Sequence, residues 1–76
     1  MNKAILVNDI SQWVADERLR QGLSVNDLAA KSNMSKSAIV KVENGKTTIP
    51  TSISAFMGLG YDFSLVDGKI YAIRKE

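Results

Sequence analysis

Residues 24–46 read SVNDLAAKSNMSKSAIVKVENGK, and this stretch decides the fold. Ser24 and Asp27 have the spacing of a capping box, in which a hydroxyl and a carboxylate each accept from a helix N–H that has no partner of its own. A helix is therefore expected from about Val25, with Leu28 and Ala29 as its apolar edge. Ser32-Asn33 ends it. Asn33 belongs to the few residue types besides glycine that tolerate the left-handed backbone a sharp helix-to-helix turn needs. Ser35 then caps a second helix, and Asn44-Gly45 closes that one with a left-handed C-cap. Two short helices joined by a turn of about 3–4 residues make a helix-turn-helix candidate.

At about 100° per residue, Ser35, Ala38, Ile39 and Val42 of the second helix share an arc of roughly 100°. Lys36, Ser37, Val40, Lys41 and Asn44 share the opposite arc of roughly 140°. The first arc is small and apolar and suits packing on the preceding helix. The second offers ammonium groups, a hydroxyl, an amide and a branched methyl pair. That mixture suits a DNA major groove, where Lys donates to guanine acceptors, Ser serves either base type and an apolar group meets the thymine methyl. A solvated face on a small bundle is the plainer alternative; the caps on both sides of the turn favour the groove.

Residues 22–46, GLSVNDLAAKSNMSKSAIVKVENGK, resemble the helix-turn-helix of the Xre/Cro/C1-repressor family, whose pattern runs LSQxELAxKxGVSxSxISxIExG. Leu23, Ser24, Leu28, Ala29, Lys31, Ser35, Ile39, Glu43 and Gly45 fit in order and without a gap. The chain departs from the pattern at Val25, where the family has a glutamine that touches phosphate. It departs again at Ser32, in place of an apolar residue, and at Asn33, in place of the turn glycine. The resemblance implies a lambda-repressor-like four-helix domain, mainly α, that represses transcription by binding double-stranded DNA. It also implies an ion pair between Arg18 of the first helix and Glu43 at the end of the DNA-reading helix. On this view Lys36, Ser37, Val40 and Lys41 face base edges, while Ser24, Lys31, Ser35, Asn44, Lys46, Thr47 and Thr51 position the phosphate backbone.

Composition agrees. The chain has 76 residues, enough for one domain spanning 1–76, and a monomer of that size buries only about 60% of its unfolded surface. Dimerisation often supports so small a fold. There is no cysteine and no histidine, so a disulfide framework, a thiolate metal site and the commonest general base are all absent. Neither a cofactor nor an enzymatic activity is expected. No apolar run approaches the roughly 18 residues of a membrane span, and the N-terminus lacks a signal-peptide core. A soluble cytoplasmic protein is the expectation. The net charge is only +2, but Lys31, Lys36, Lys41 and Lys46 concentrate positive charge in the central segment, where a phosphate backbone would feel it.

Residues 1–7 are short and apolar, and an extended arm, an edge strand and disorder stay open. Asn8 is expected to cap a first helix running to about Gln21, with Ile10, Trp13, Val14 and Glu17 on one side. Trp13 reads as core. A further helix follows Thr48 or Ile49, with Pro50 as its first residue. Ile53, Phe56, Met57 and Leu59 are expected to face the core. The bundle thus covers 8–60.

From Tyr61 the period changes to two. YDFSLV and KIYAIR flank Asp67-Gly68, the pair that favours a type I′ hairpin turn. If Val66 faces Lys69, then Leu65 meets Ile70 and Phe63 meets Ala72. These four form an apolar face for residues 61–76, with Ser64 and Tyr71 on the other side. A lone hairpin is marginal in water, so this one needs its own helical core or a second copy. Residues 47–69, TTIPTSISAFMGLGYDFSLVDGK, resemble the loop, fourth helix and strand of the HipB-type antitoxins within the family. In those, C-terminal strands of two subunits form a shared sheet. The resemblance implies a homodimer in which Phe63, Leu65, Ile70 and Ala72 meet the partner. It also implies a palindromic operator and a HipA-like kinase toxin as a further partner. A phage or plasmid repressor without a toxin, and an interaction module that has lost DNA binding, are the alternatives.

Overall fold

Four helices and three strands make up the computed structural model, which describes residues 3–75. In chain order they are β1 (Ala4–Val7), α1 (Ile10–Arg20), α2 (Val25–Ser32), α3 (Lys36–Glu43), α4 (Ile49–Gly58), β2 (Tyr61–Val66) and β3 (Lys69–Arg74). The architecture is the one expected, a mainly helical unit with a small C-terminal β element.

Every helix starts where a side chain satisfies a first-turn N–H. Asp27 N–H donates to the Ser24 hydroxyl at 3.0 Å, and Ser24 N–H to the Asp27 carboxylate at 2.9 Å, completing the capping box. Ala38 N–H donates to Ser35 at 3.1 Å. The cap of α1 is Asp9, not Asn8 as expected. The backbone of Asp9 is extended, with φ −135° and ψ 107°, and its carboxylate accepts from Gln12 N–H at 3.1 Å. Pro50 is the second residue of α4 rather than the first, because Thr48 supplies the cap.

Val14, Leu28, Ile39, Val42 and Phe56 are fully buried and come from all four helices. The Trp13 ring lies 4.7 Å from Phe56 and 5.0 Å from Tyr61, edge-on to the latter. Such pairs add stability beyond area burial, and they give Trp13 its core role. Ser52, Ala55, Phe56 and Leu59 form the inward row of α4 at i, i+3, i+4 and i+7. Met57 falls off that row and is 52% exposed, so its expected place in the core is corrected. Ile53 is only half-buried.

The sheet has the order β1-β3-β2, antiparallel throughout. Asp67 and Gly68 both take positive φ, 52° and 74°, as a type I′ turn demands. The hairpin register is the expected one, pairing Val66 with Lys69, Leu65 with Ile70 and Phe63 with Ala72. β1 adds to the other edge of β3, pairing Leu6 with Tyr71 and Val7 with Ile70. Of the three options for residues 1–7, the strand is therefore observed for 4–7; residues 1 and 2 lie outside the described ones.

The hairpin finds its support inside the chain. Ala72 is fully buried, Phe63 and Ile70 pack against the helical core, and the Phe63 ring sits 6.1 Å from Phe56. Of the four residues expected to meet a partner, Ala72 is thus fully buried and Phe63 and Ile70 half-buried by the chain's own core. The chain turns at Gly60 and lays β2 along α4, which covers that face with the protein's own side chains. Leu65, near the hairpin tip, stays 64% exposed. Among the described residues the hairpin pairs with β1 to complete a three-stranded sheet.

Candidate nucleic-acid interface

The turn between α2 and α3 depends on one residue. Asn33 adopts φ 55° and ψ 44°, and the next N–H, that of Met34, returns to Ala29 C=O at 2.9 Å. The Met34 side chain packs against the core, which pins the turn from below. Ile39 and Val42 bury the inner side of α3. At its far end Gly45 takes φ 70°, and Lys46 N–H closes on Lys41 C=O at 2.9 Å, satisfying a carbonyl the helix leaves free.

Behind α3, Arg18 and Glu43 meet in a two-pronged ion pair. Arg18 Nε and Nη2 donate to the two Glu43 carboxylate oxygens at 2.7 and 3.0 Å, and Nη1 donates to Leu23 C=O at 3.0 Å. The Glu43 carboxylate holds the guanidinium above the ordinary arginine range. One side chain thus ties α1, the loop before α2 and the end of α3 together. The pair also compensates the Glu43 charge locally, so it does not offset the lysines on the other side of the helix.

Those lysines face outward. Lys36, Ser37 and Lys41 are exposed and Val40 is 42% exposed, so the four residues expected at base edges form one solvent-facing row on α3. Lys31, Asn44 and Lys46 are exposed beside them. The hydroxyls among the expected phosphate contacts are placed less freely. Ser24 and Ser35 accept capping bonds, Ser35 also sharing a hydrogen bond with Ser37 at 3.2 Å. Thr51 is half-buried and bonded to Thr48 at 3.1 Å. Thr47 is half-buried and lines a cleft with Asn8, Gly45 and Ile49.

The departures from the family pattern also have places. Val25 leans on the core, so it replaces a polar contact with packing. Ser32 points at α4, where its buried Oγ has no hydrogen-bond partner and lies against Gly58. Sequence reasoning missed a second polar cluster. Glu17 is 8% exposed and accepts hydrogen bonds from Arg20, Gln21 and the Tyr61 hydroxyl. Gln21 also donates to Leu59 C=O at 2.9 Å. The one sequence signal was a carboxylate on the apolar side of the first helix.

Among the described residues no helix is long and apolar enough to cross a membrane, and no group of three or more acidic side chains is placed to hold a metal ion. No curated protein and no solved structure matches the chain. The model of one family does: the helix-turn-helix family, over residues 14–56, from Val14 in α1 to Phe56 in α4. With more than half of its length so matched, the chain belongs to the helix-turn-helix family of the Xre/Cro/C1 type, whose members are DNA-binding regulators.

Proposed function

We propose that the protein is a sequence-specific repressor that binds palindromic duplex DNA as a homodimer. The observation that carries this is the exposed row of Lys36, Ser37, Val40 and Lys41 on a helix whose other side is locked by Ile39, Val42 and the Arg18–Glu43 pair. Lys36 and Lys41 donate to guanine, Ser37 to either base type, and Val40 packs on a thymine methyl. Lys31, Asn44 and Lys46 hold the phosphates alongside, assisted by the hydroxyls of Ser24, Ser35, Thr47 and Thr51. A two-fold pair of such domains places its half-sites one helical turn apart, about 34–36 Å. An antitoxin acting with a HipA-like kinase is the narrower form of this proposal, supported by the likeness of residues 47–69. Copurification with the product of an adjacent reading frame would decide that part.

The test is selection of bound duplexes from a random pool, followed by titration of the winning sequence against salt. Enrichment of one palindrome, with affinity falling steeply as salt rises, is the expected result. Binding with no sequence preference, or none to any duplex, would sink the proposal and favour a protein-interaction role for the same fold.

A further inference from the structure

Where the ends of β1, α1, α3 and α4 converge, the chain leaves a cleft of about 380 Å³. That volume lies within the roughly 300–1,000 Å³ usual for small-molecule sites. The space is open because the residues at this junction are small: Ser11, Gly45, Thr47 and Ser52 line it. Val7, Ile10, Val42, Ile49 and Ile70 supply apolar walls. Ile49 is 50% exposed, so the apolar lining reaches the surface and the chain does not cover it.

Among the lining residues one side chain is charged, that of Asp9. Its carboxylate is held at the cleft by Ser11. A Cβ at Gly45 would lie 3.6 Å from Ser11 Oγ, and that hydroxyl donates to Asp9 Oδ1 at 2.9 Å. Gln12 N–H donates to the same oxygen at 3.1 Å, so Oδ2 keeps acceptor capacity for a cation. Two lysines adjoin the lining in the chain: Lys46, between Gly45 and Thr47, and Lys69, next to Ile70; both are exposed. A ligand that was only a cation would meet these lysines, and one that was only an anion would meet Asp9. A molecule with both charges on an aliphatic body satisfies all three.

We infer that this cleft binds a free aliphatic α-amino acid of about the size of leucine. Its ammonium sits on Asp9, its carboxylate faces Lys46, and its branched side chain lies among Val7, Ile49 and Ile70. The consequence for the duplex rests on the reading of the protein as a DNA-binding regulator, in which Lys46 holds a phosphate. Amino acid and phosphate then compete for one ammonium group. Bound ligand weakens the duplex complex, and by linkage the duplex weakens ligand binding by the same factor.

A heteronuclear NMR titration of the full chain with leucine, in the absence of DNA, tests the site. Saturable shifts are expected at Val7, Asp9, Thr47, Ile49 and Ile70, with a dissociation constant of roughly 0.05–1 mM. Isocaproate, which lacks the ammonium, and isoamylamine, which lacks the carboxylate, should each bind at least about 10-fold more weakly. Asp9→Asn keeps a good helix cap and should weaken leucine by a similar factor, yet bind isocaproate no worse than the wild type. Ile49→Ser, which shortens an exposed wall, should also weaken leucine and serves if Asp9→Asn disturbs α1. Leu19→Ser, at an exposed position on α1, should change nothing. On the preferred duplex, saturating leucine should lower affinity by about 5–10-fold, and Lys46→Ala should abolish that effect. No saturable shift by roughly 10 mM leucine, equal binding of all the probes, or shifts away from the cleft would overturn the inference while leaving duplex binding in place. Leucine binding as described by a chain that holds no duplex would instead remove the DNA reading and keep the site. Leucine binding that leaves duplex affinity unchanged would overturn the competition for Lys46.

Discussion

Arg18 on α1 and Glu43 at the end of α3 stand 25 residues apart in the chain, yet two parallel hydrogen bonds of 2.7 and 3.0 Å join them. Each side chain is only 13% exposed. A pair this enclosed contributes little beyond what matched apolar residues would, but removing one partner strands the other charge. Glu43→Ala should therefore cost about 2–4 kcal/mol, lowering the melting temperature by roughly 10–25 °C for a chain of this size. Glu43→Gln, which keeps one acceptor, should fall between. Thermal unfolding followed by circular dichroism reads both, and an unchanged melting temperature for Glu43→Ala would show that the pair is not structural.

A pH dependence should arise at Glu17. Burial raises its carboxyl, but hydrogen bonds from Arg20, Gln21 and Tyr61 outweigh that and hold it below the ordinary range. A depressed folded value means that the stabilisation is complete above the ordinary glutamate pKa of about 4.3 and is lost as pH falls through the lower folded value. Asp9 and Asp27 act in the same direction, lowered chiefly by the backbone N–H groups of Gln12 and Ser24. Denaturant midpoints should stay flat from neutral pH to about pH 5 and then decline. Glu17→Gln should be less stable at neutral pH by about 1–3 kcal/mol and show a shallower acid decline. An identical decline in variant and wild type would remove Glu17 from this role.

How much of this could be read from the residues divides along physical lines. Caps, turns and register are local: Ser24-x-x-Asp27, Ser35, Asn33 and Asp67-Gly68 each act through the backbone within a few residues, and each appears where expected. The outward row of α3 follows from helical period alone. Errors arose where a choice depended on distant chain. Asn8 and Asp9 are both good caps, and it is Asp9 whose carboxylate accepts from Gln12 N–H just after β1 enters the sheet. Met57 has the chemistry of a core residue, yet it falls off the inward row of α4 and is 52% exposed. The hairpin's apolar face was legible, but its occupant was not, because period two says which side is buried and not against what. Glu17 was likewise invisible as a cluster until Tyr61, 44 residues away, came within 3.2 Å.

Close packing between α2 and α4 should make Gly58 intolerant of any side chain. A Cβ there would lie 2.0 Å from Ser32 Oγ and 3.1 Å from Ser32 Cα. The backbone contact means that no rotamer change at Ser32 relieves it fully. Gly58→Ala should destabilise by about 1–3 kcal/mol despite the better helix propensity of alanine. Ser32→Ala should do the reverse, gaining on the order of 1 kcal/mol by removing a buried hydroxyl without a partner. Chemical denaturation of the two variants measures both signs. A neutral Gly58→Ala would mean that the two helices separate at little cost.

The division of labour across the α3 surface is tested by two exposed lysines five residues apart. Lys41 belongs to the outward row of α3, and Lys46 follows the helix, its N–H returning to the Lys41 carbonyl at 2.9 Å. If Lys41 reads a guanine, Lys41→Ala should cost about 1–3 kcal/mol on the preferred palindrome and far less on a duplex substituted at that base pair. If Lys46 holds a phosphate, Lys46→Ala should weaken every duplex alike and flatten the logarithmic salt slope by about one unit. Neither side chain is buried, so both variants should melt like the wild type, which separates a binding defect from a folding one. Fluorescence anisotropy on the preferred, substituted and random duplexes, each across a salt series, gives all the required comparisons. Equal losses from the two substitutions on all three duplexes would mean that Lys41 is another backbone contact, and would move base reading to Lys36, Ser37 and Val40.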